Sequence, residues 1–282
     1  MELYVAALLT CFNRVAKTLE CIGRLYEQPL PPGAKLEVFL VDDGSSDGTG
    51  EQVKAAFPAV NVIQGTGSLF WAGGMRLAWE SAAKSRDFDF YMWLNDDTIL
   101  RPDALLKLFD DYNEAVVQYG RAGVLVAEVC DPDSGVFTYG GHSESAALEP
   151  NGTIQACAYC NGNLVLIPRQ VYCEQGGMSE KFTHGIGDYE YGVRTRRSDF
   201  GLWCTREYLA ECSFNPFNSW CDPERPMLTR LKMLYHPRGL NIKEYMAFRR
   251  EYFGDAWRTF CISHFRAIAP RTFERLRRLR KR

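Results

Sequence analysis

Two spacings of hydrophobic residues alternate along the first 120 positions of the chain. Near-continuous apolar runs at residues 4–10, 36–41 and 88–94 each lead into polar residues, as expected of strands buried on both faces. Apolar residues between these runs recur every three or four positions, at residues 15–26 and 49–57, which predicts helices. This alternation predicts an α/β fold with a Rossmann-like, mostly parallel sheet and helices on both faces.

The pattern changes after a further predicted helix at residues 102–119. The next segment, residues 122–168, contains short strand-like runs separated by Gly, Asp and Pro turns. From about residue 223, aromatic residues at helical spacing indicate one or two helices, and residues 271–282 form a basic, amphipathic end. We therefore expect a large domain over residues 1–222 and a helical extension over residues 223–282.

Charge is unevenly divided along the chain. The 282 residues carry a formal net charge of -2, yet residues 225–282 hold 16 Lys and Arg against 4 Asp and Glu. The first 224 residues hold 17 basic against 31 acidic residues. A basic, aromatic extension on an acidic body predicts an anionic partner surface, and a membrane fits the amphipathic end. The alternative is a solvated helix packed by its apolar stripe. No recognised nucleic-acid-binding fold accompanies the charge, so we expect no nucleic acid.

Neither a leader peptide nor a membrane-spanning helix is predicted. A strand-like run follows Met1 directly, and no apolar run reaches the length of about 18 residues that a spanning helix needs. We therefore expect a cytoplasmic protein, with peripheral binding at the inner face of the cytoplasmic membrane as an open possibility. Ten cysteines are scattered through apolar patterns, and the pair Cys157 and Cys160 has no second pair, which favours buried thiols over a zinc site.

Three polar residues end the most apolar of the predicted strands. Asn95, Asp96 and Asp97 follow the run at residues 88–94 and would lie at the carboxyl edge of the sheet, where open α/β folds bind ligands. Clustered carboxylates beside an apolar wall favour a positive partner, and a divalent cation that carries phosphates is the usual one. The alternative is a solvated turn that caps the following helix.

A second acidic segment follows the second predicted strand. Residues 42–49 read Asp-Asp-Gly-Ser-Ser-Asp-Gly-Thr, and a turn with Asx caps is the simplest structural interpretation. A glycine-rich connection at residues 65–75 leads into the third helix. The chain has neither a Gly-x-Gly-x-x-Gly motif after its first strand nor a Gly-x-x-x-x-Gly-Lys-Ser/Thr motif, which argues against dinucleotide-binding and P-loop proteins.

Four blocks in this order carry a resemblance to a known family. They are residues 10–14, residues 41–49, residues 93–98, and the region from Asn161-Gly-Asn to residue 194. Together they resemble the family 2 glycosyltransferases of the GT-A fold, of the inverting type that assembles bacterial surface polysaccharides such as O-antigen or capsule. The resemblance covers roughly residues 3–205. It implies a nucleotide-binding half at residues 1–100 and an acceptor-binding half at residues 101–222.

The resemblance also implies roles for single residues. Asp97 matches the last acid of the family's DXD motif, which holds Mg²⁺ or Mn²⁺ on the donor diphosphate. Asn95 stands where relatives often have the first Asp. Asp43, with Asp42 as the less favoured partner, matches the acid that binds a uracil or thymine ring. The other implied donor-binding residues are Thr10, Asn13, Arg14, Trp71, Gly73, Gly74, Arg76 and Asp96.

For the catalytic base, the resemblance points to Asp188. A helix that begins at this position would favour the ionised carboxylate through its dipole, although an Asp there is also a common helix cap. Glu190 is the competitor, but its spacing of four residues from Arg194 favours an ion pair. Asn163 and His184 are assigned to the acceptor side, together with Glu190. Relatives often supply a metal-binding His after the next strand, and His236 is the possible substitute.

These features predict a metal-dependent, inverting glycosyltransferase. It would transfer a sugar from a UDP- or dTDP-sugar to a hydroxyl of a glycan acceptor, which the basic aromatic extension suggests is lipid-linked. One alternative is a sugar nucleotidyltransferase, which shares the sheet but prefers a first loop rich in Gly and Lys. Another is a catalytically inactive nucleotide- or glycan-binding module. The sequence leaves the transferred sugar, the linkage and the oligomeric state open.

Overall fold

A computed structural model describes residues 2–214 and 220–279 of the chain. The chain divides into two compact units. The two units do not meet at the domain boundary expected between residues 222 and 223, and the two functional domains stay a prediction. The first unit comprises Met1–Ser179 and Asp188–Phe214, and the second comprises Glu180–Gly187 and Asn215–Arg282.

A ten-stranded sheet with helices on both faces forms the first unit, and two further strands pair separately. Its strands are β1 (Leu3–Cys11), β2 (Ala34–Asp42), β3 (Asn61–Gln64), β4 (Phe90–Leu94), β5 (Ile99–Leu100), β6 (Gly123–Cys130), β7 (Phe137–Tyr139), β8 (Gly141–His142), β9 (Gln155–Ala156), β10 (Tyr159–Cys160), β11 (Leu164–Pro168) and β12 (Gly201–Glu211). Its helices are α1 (Val15–Tyr26), α2 (Thr49–Ala56), α3 (Phe70–Ser85), α4 (Ala104–Tyr119), α5 (Arg169–Gln175) and α6 (Gly187–Arg197).

The strand order across the sheet is β3-β2-β1-β4-β11-β6-β12-β5, with β7 paired to β6 and β9 to β12. The four strands of the first half, β1 to β4, pair in parallel. β11 then inserts antiparallel between β4 and β6, whereas β6 and β12 pair in parallel. The predicted α/β fold with a Rossmann-like sheet is thus confirmed. The antiparallel strands follow α4, in the part of the chain where the sequence shows only short strand-like runs.

Alternate residues of β1 show why this sheet is covered on both faces. Val5 and Leu9 belong to one hydrophobic cluster, which includes residues of α1 and α4. Ala6 and Leu8 belong to the other cluster, which includes residues of α3. All four side chains are almost completely buried. A strand buried on both faces has no polar alternate positions, which explains its continuous apolar sequence.

Four helices form most of the second unit, and Gly254, with φ +72°, lies between its second and third helices. Two of the helices carry the predicted aromatic residues, and the first helix was not predicted. Residues 280–282 of the predicted basic end lie outside the described residues. The helices are α7 (Met227–Tyr235), α8 (Ile242–Tyr252), α9 (Ala256–Ile268) and α10 (Pro270–Leu279).

A small hydrophobic core holds the second unit together. It contains Trp220, Leu234, Ile242 and Ala267, all nearly inaccessible to solvent. α10 buries none of its side chains. Within the described residues, no helix combines the length and the apolar character that crossing a membrane would require.

Candidate active site

The carboxyl ends of three neighbouring strands place the polar blocks of the sequence at one edge of the sheet. The register pairs Cys11 of β1 with Asp42 of β2, and Leu8 of β1 with Trp93 of β4. Because these strands are parallel, the loops that follow them start at the same edge. The ends of β1 and β2, together with the loops after β1, β2 and β4, carry most of the residues predicted to bind the donor.

Arg14 joins the two acids that follow β4. Its Nη1 lies 3.2 Å from an oxygen of Asp96 and 2.6 Å from an oxygen of Asp97. Thr18, one turn further along α1, donates a hydrogen bond of 3.1 Å to the other Asp96 oxygen. Asp96 is 5% exposed, and burial raises the pKa of its carboxyl to about 6 against the opposing effect of Arg14. Asp97 remains the more accessible acid of the pair.

Asn95 turns its side chain away from these acids and towards α3. Its Oδ1 accepts a hydrogen bond of 2.7 Å from Nε1 of Trp71, and its backbone N–H donates to the carbonyl of Asn163. The Trp71 ring in turn lies directly against Gly162, where a Cβ would overlap ring carbons. Asn95 therefore orients an aromatic wall between the end of β4 and the segment that precedes β11.

Asp188, in the first turn of α6, also lies beside Gly162: a Cβ on this glycine would be 3.4 Å from the Asp188 Cβ. One carboxylate oxygen accepts a hydrogen bond of 3.0 Å from the N–H of Gly162, and the other accepts one of 2.8 Å from the N–H of Tyr189. The side chain is only partly exposed, and burial raises the pKa of its carboxyl to about 7, although both backbone N–H groups favour the ionised form. A carboxyl group with this pKa can exchange a proton near neutral pH.

The residues predicted to bind the nucleotide also hold their own loops together. Asp43 accepts hydrogen bonds from the N–H groups of Gly67 and Phe70, at 2.8 and 3.0 Å. Asp42 accepts from the N–H groups of Ser45 and Gly50, at 2.9 and 3.0 Å. Both acids are nearly buried. The Asx-type turn is therefore real, and the two acids fix the loops that line this edge.

Asn13 connects two of these loops directly. Its N–H donates to the Ser45 hydroxyl at 2.9 Å, and its Oδ1 accepts from the N–H of Ser46 at 2.7 Å. Asn13 has φ +53°, a left-handed conformation in which Asn is more favourable than most residues. The residue thus sets the relative position of the loops after β1 and β2.

Two glycines at the start of α3 have different surroundings. A Cβ on Gly74 would overlap the Thr10 side chain, so this glycine allows α3 to pack closely on β1. A Cβ on Gly73 would meet Leu69 at 3.2 Å. Arg76, further along the helix, donates a hydrogen bond of 2.8 Å to the carbonyl of Ser179. Thr10 and Gly74 are therefore matched to each other by packing.

Two residues predicted for the acceptor side are buried. Asn163 is 5% exposed, and its amide donates a hydrogen bond of 3.1 Å to the Thr98 hydroxyl. Glu190 is 2% exposed and forms the expected ion pair with Arg194, at 2.9 Å. Their burial and these contacts indicate that both side chains stabilise the fold.

The two predicted histidines belong to the second unit. His184 lies in the segment Glu180–Gly187. His236 follows the last residue of α7, and its Nδ1 accepts a hydrogen bond of 3.1 Å from the N–H of Arg238. The first unit alone contains the residues that the structure brings together: Arg14, Trp71, Asn95, Asp96, Asp97 and Asp188.

A metal ion at this edge would need ligands from the donor substrate. In residues 2–214 and 220–279 no three His, Cys, Asp or Glu side chains form a group that could hold an ion, and Cys157 and Cys160 belong to none. Asp97 offers one partly accessible carboxylate. Mg²⁺ commonly binds through one or two carboxylates, substrate phosphates and waters, so this donor set fits an ion that arrives with a diphosphate.

Two residues of this site were missed by the sequence analysis. Thr18 donates to Asp96, and its spacing of four residues from Arg14 on α1 was the available signal. Gly162 donates to Asp188 and contacts Trp71, and its position inside the Asn-Gly-Asn block was the available signal. In both cases the partner lies far away in sequence.

Comparison with known proteins supports the same family. Residues 7–129 match the sequence profile described as "Glycosyl transferase family 2". A search of curated protein sequences gives no match.

Solved structures of glycosyltransferases are similar to the chain in fold. A mannosyltransferase, PcManGT from Pyrobaculum calidifontis in complex with GDP-Man and Mn²⁺, superposes with a TM-score of 0.55 at 16% identity, over 95% of this chain and 71% of that one. Residues 1–349 of S. aureus TarS superpose with a TM-score of 0.56 at 13% identity, over 96% of this chain and 82% of that one. At such identities the similarity shows the GT-A fold alone. The profile match shows that residues 7–129 carry a glycosyl transferase family 2 domain.

Proposed function

We propose that the chain is an inverting glycosyltransferase in which Asp188 is the general base and the edge at Asp96 and Asp97 receives the donor diphosphate. The observation that carries the proposal is the continuous series of contacts from Asp97 to Asp188. Asn95, next to the acids, holds Trp71, the Trp71 ring lies against Gly162, and Gly162 donates to Asp188. The proposed base and the proposed diphosphate-binding edge thus border the same wall of contacting residues.

In the proposed reaction, one displacement occurs at the anomeric carbon. The acceptor hydroxyl oxygen forms a bond to that carbon, the bond from that carbon to the diphosphate oxygen breaks, and Asp188 takes the hydroxyl proton. Attack opposite the leaving group inverts the configuration. Asp188 suits this role because its carboxylate is fixed by two N–H groups and its pKa is close to 7.

The leaving diphosphate needs positive charge. We infer that Asp97 holds Mn²⁺ or Mg²⁺ with the diphosphate, and such an ion would stabilise the developing negative charge. Arg14, which bridges Asp96 and Asp97, holds the two acids in place and can donate to phosphate oxygens from the same position. The PcManGT complex contains Mn²⁺, which supports a metal at this edge. His236 stays the candidate for a further metal ligand.

We place the nucleotide at the ends of β1 and β2 and the loops that follow them, which carry Thr10, Asn13, Arg14, Asp42 and Asp43. We retain UDP or dTDP as the donor nucleotide, since an acid at position 43 can accept a hydrogen bond from a pyrimidine ring N–H. GDP is the competing nucleotide, because PcManGT binds GDP-Man. Gly73 and Arg76, in the first two turns of α3, complete the proposed donor side.

For the acceptor we propose a lipid-linked bacterial glycan. α10 carries Leu276 and Leu279, 47% and 60% exposed, among arginines. Such a helix can lie at the surface of an anionic membrane, where a lipid-linked acceptor is found. His184 stays a candidate for acceptor binding.

The test of the base uses Asp188→Asn, with Asp133→Asn as the control at an exposed carboxylate. We expect a loss of about 10²–10⁴-fold in the rate of sugar transfer for the first variant and no loss for the second. Because only the ionised carboxylate accepts a proton, kcat/KM of the wild type should rise with pH and level off above about pH 7. Full activity of Asp188→Asn would refute the proposal.

The donor class is tested by thermal shift with UDP, dTDP, GDP and CMP, each with and without Mn²⁺. A nucleotide at about 100 times its dissociation constant should stabilise the fold by about 2.7 kcal/mol. A shift with one pyrimidine diphosphate that depends on Mn²⁺ supports the proposal. A thermal shift with GDP alone would show that the donor nucleotide is GDP and not a pyrimidine nucleotide. An equal thermal shift with and without Mn²⁺ would contradict the metal assignment.

A further inference from the structure

The second unit contains a cavity of about 360 Å³ that the transfer reaction does not use. Residues of α8 and α9 line it, together with Trp220 and Leu240. This volume is typical of sites for small ligands. The ligand class can be read from the charges, the hydroxyl groups and the apolar surface around the cavity.

The cavity is basic. Three arginines line it, Arg249, Arg258 and Arg266, with Asp255 as the one carboxylate in the lining. Asp255 is already occupied, because it forms a two-pronged ion pair with Arg249. Neither Arg258 nor Arg266 forms a salt bridge in the described part of the chain. Arg258 acts on Asp255 only through space, and Arg266 donates to the Cys221 sulfur at 3.5 Å, so neither has a carboxylate of its own. Guanidinium groups in this situation favour a phosphate, which they can bind by two parallel hydrogen bonds.

Two buried hydroxyl groups add hydrogen-bond donors to this lining. Thr259 and Ser263 lie one turn apart on α9 and are 9% and 4% exposed. Both residues line the cavity, so their hydroxyl groups can donate hydrogen bonds to a polar ligand there. Arg266 itself is held in place by the Trp220 ring, whose centroid is 4.9 Å from the guanidinium carbon.

An exposed apolar stripe runs along α9 beside the cavity. Trp257, Phe265 and Ile268 are 71%, 39% and 50% exposed and are spaced at intervals that fall on one side of a helix. Ile262, 38% exposed, lines the cavity next to this stripe. Exposed apolar side chains in such a row mark an interaction surface. A phosphate site that borders an apolar stripe matches a molecule with both properties.

We propose that this cavity binds the phosphate headgroup of an anionic lipid, with the lipid chains against the stripe of α9. Arg258 and Arg266 bind the phosphate, and the hydroxyl groups of Thr259 and Ser263 donate to its oxygens. This inference goes beyond the glycosyl transfer and does not depend on it. The site differs from diffuse attraction to the basic helices, because it needs particular arginines.

The experiment uses the full chain with vesicles of phosphatidylcholine, with and without phosphatidic acid, in a flotation assay. Arg258→Gln is the test variant, because Arg258 is exposed and its loss leaves the core intact. Arg250→Gln, an exposed position on α8 outside the cavity, is the matched control with the same change in charge. Inorganic pyrophosphate is titrated separately without vesicles, and UDP binding is measured in every variant.

We expect binding to phosphatidic acid vesicles that Arg258→Gln weakens about tenfold, equal to about 1.4 kcal/mol, and that Arg250→Gln leaves nearly unchanged. Equal weakening by both variants would show diffuse electrostatics and overturn the site. If the protein binds pyrophosphate through Arg258 but does not bind vesicles, the ligand is a soluble phosphate compound and the lipid proposal is refuted. No binding of either probe would overturn the proposal. UDP binding that persists in all variants separates these outcomes from failure of the proposed transferase function.

Discussion

Asp188 should destabilise the folded protein when it is ionised, and this effect can be measured without any substrate. Its pKa is about 7 in the folded protein and about 3.9 in an unfolded chain. Between these values the folded protein binds more protons than the unfolded chain, so the free energy of unfolding falls as pH rises. Asp188→Asn removes the titrating group and therefore this contribution to the pH dependence.

The size of the effect follows from the two pKa values. Between pH 5 and pH 8 the wild type should lose about 2.5 kcal/mol of stability relative to Asp188→Asn. Solvent reaches the partly exposed carboxylate and reduces this figure, so we expect a relative change of about 1–2.5 kcal/mol. The hydrogen bond that Asn cannot accept from Gly162 or Tyr189 shifts the comparison by the same amount at both pH values and cancels.

The assay is urea denaturation followed by tryptophan fluorescence at pH 5 and pH 8, since four of the six tryptophans belong to the first unit. Asp133→Asn serves as the control at an exposed position. A difference between Asp188→Asn and wild type that does not change with pH would refute the burial of this carboxyl group. It would also remove the physical basis for Asp188 as a base that works near neutral pH.

Three further substitutions test the contacts around the site. Gly162→Ala should push the Trp71 ring aside, destabilise the protein by about 1–3 kcal/mol in denaturation experiments and weaken donor binding, and an unchanged stability would contradict the close contact. Trp71→Phe keeps the ring wall but loses the hydrogen bond to Asn95, and calorimetry should show donor binding weaker by about 1 kcal/mol, with unchanged binding as the contrary result. Glu190→Gln should cost about 1.5–3 kcal/mol of stability, because it removes the charged partner of Arg194 while Arg194 keeps its bonds to the carbonyls of Gln175 and Gly177. The folded variant should keep its donor affinity, and reduced donor affinity at full stability would instead assign Glu190 to the site.

The sequence alone predicted the first half of the fold well. Strands buried on both faces and amphipathic helices have patterns that depend only on the residues of each segment, as β1 and α1 show. The helix expected from residue 102 begins at Ala104, because Asp103 adopts a left-handed conformation with φ +59°. Short strands such as β9 and β10 carry too few residues for a period to be recognised, and α7 was not predicted at all.

Contacts between distant segments decided the chemistry of single residues. Glu128 lies in the middle of an otherwise apolar strand, and burial raises the pKa of its carboxyl to about 11, so that it is neutral at physiological pH. Asp188 and Glu190 are two residues apart and both acidic. One accepts two backbone hydrogen bonds beside Gly162, and the other is paired with Arg194 in the interior. No local pattern distinguishes them.

The sequence by itself determined the α/β class, the succession of strands and helices along residues 1–100 and the positions of the acidic blocks, because each of these follows from residues close together in the chain. Only the tertiary structure decided that Arg14 bridges Asp96 and Asp97, that Asn95 holds Trp71, and that Gly162 brings this wall against Asp188. Hydrogen bonds and pKa values depend on neighbours in space, and these neighbours come from segments separated by tens of residues.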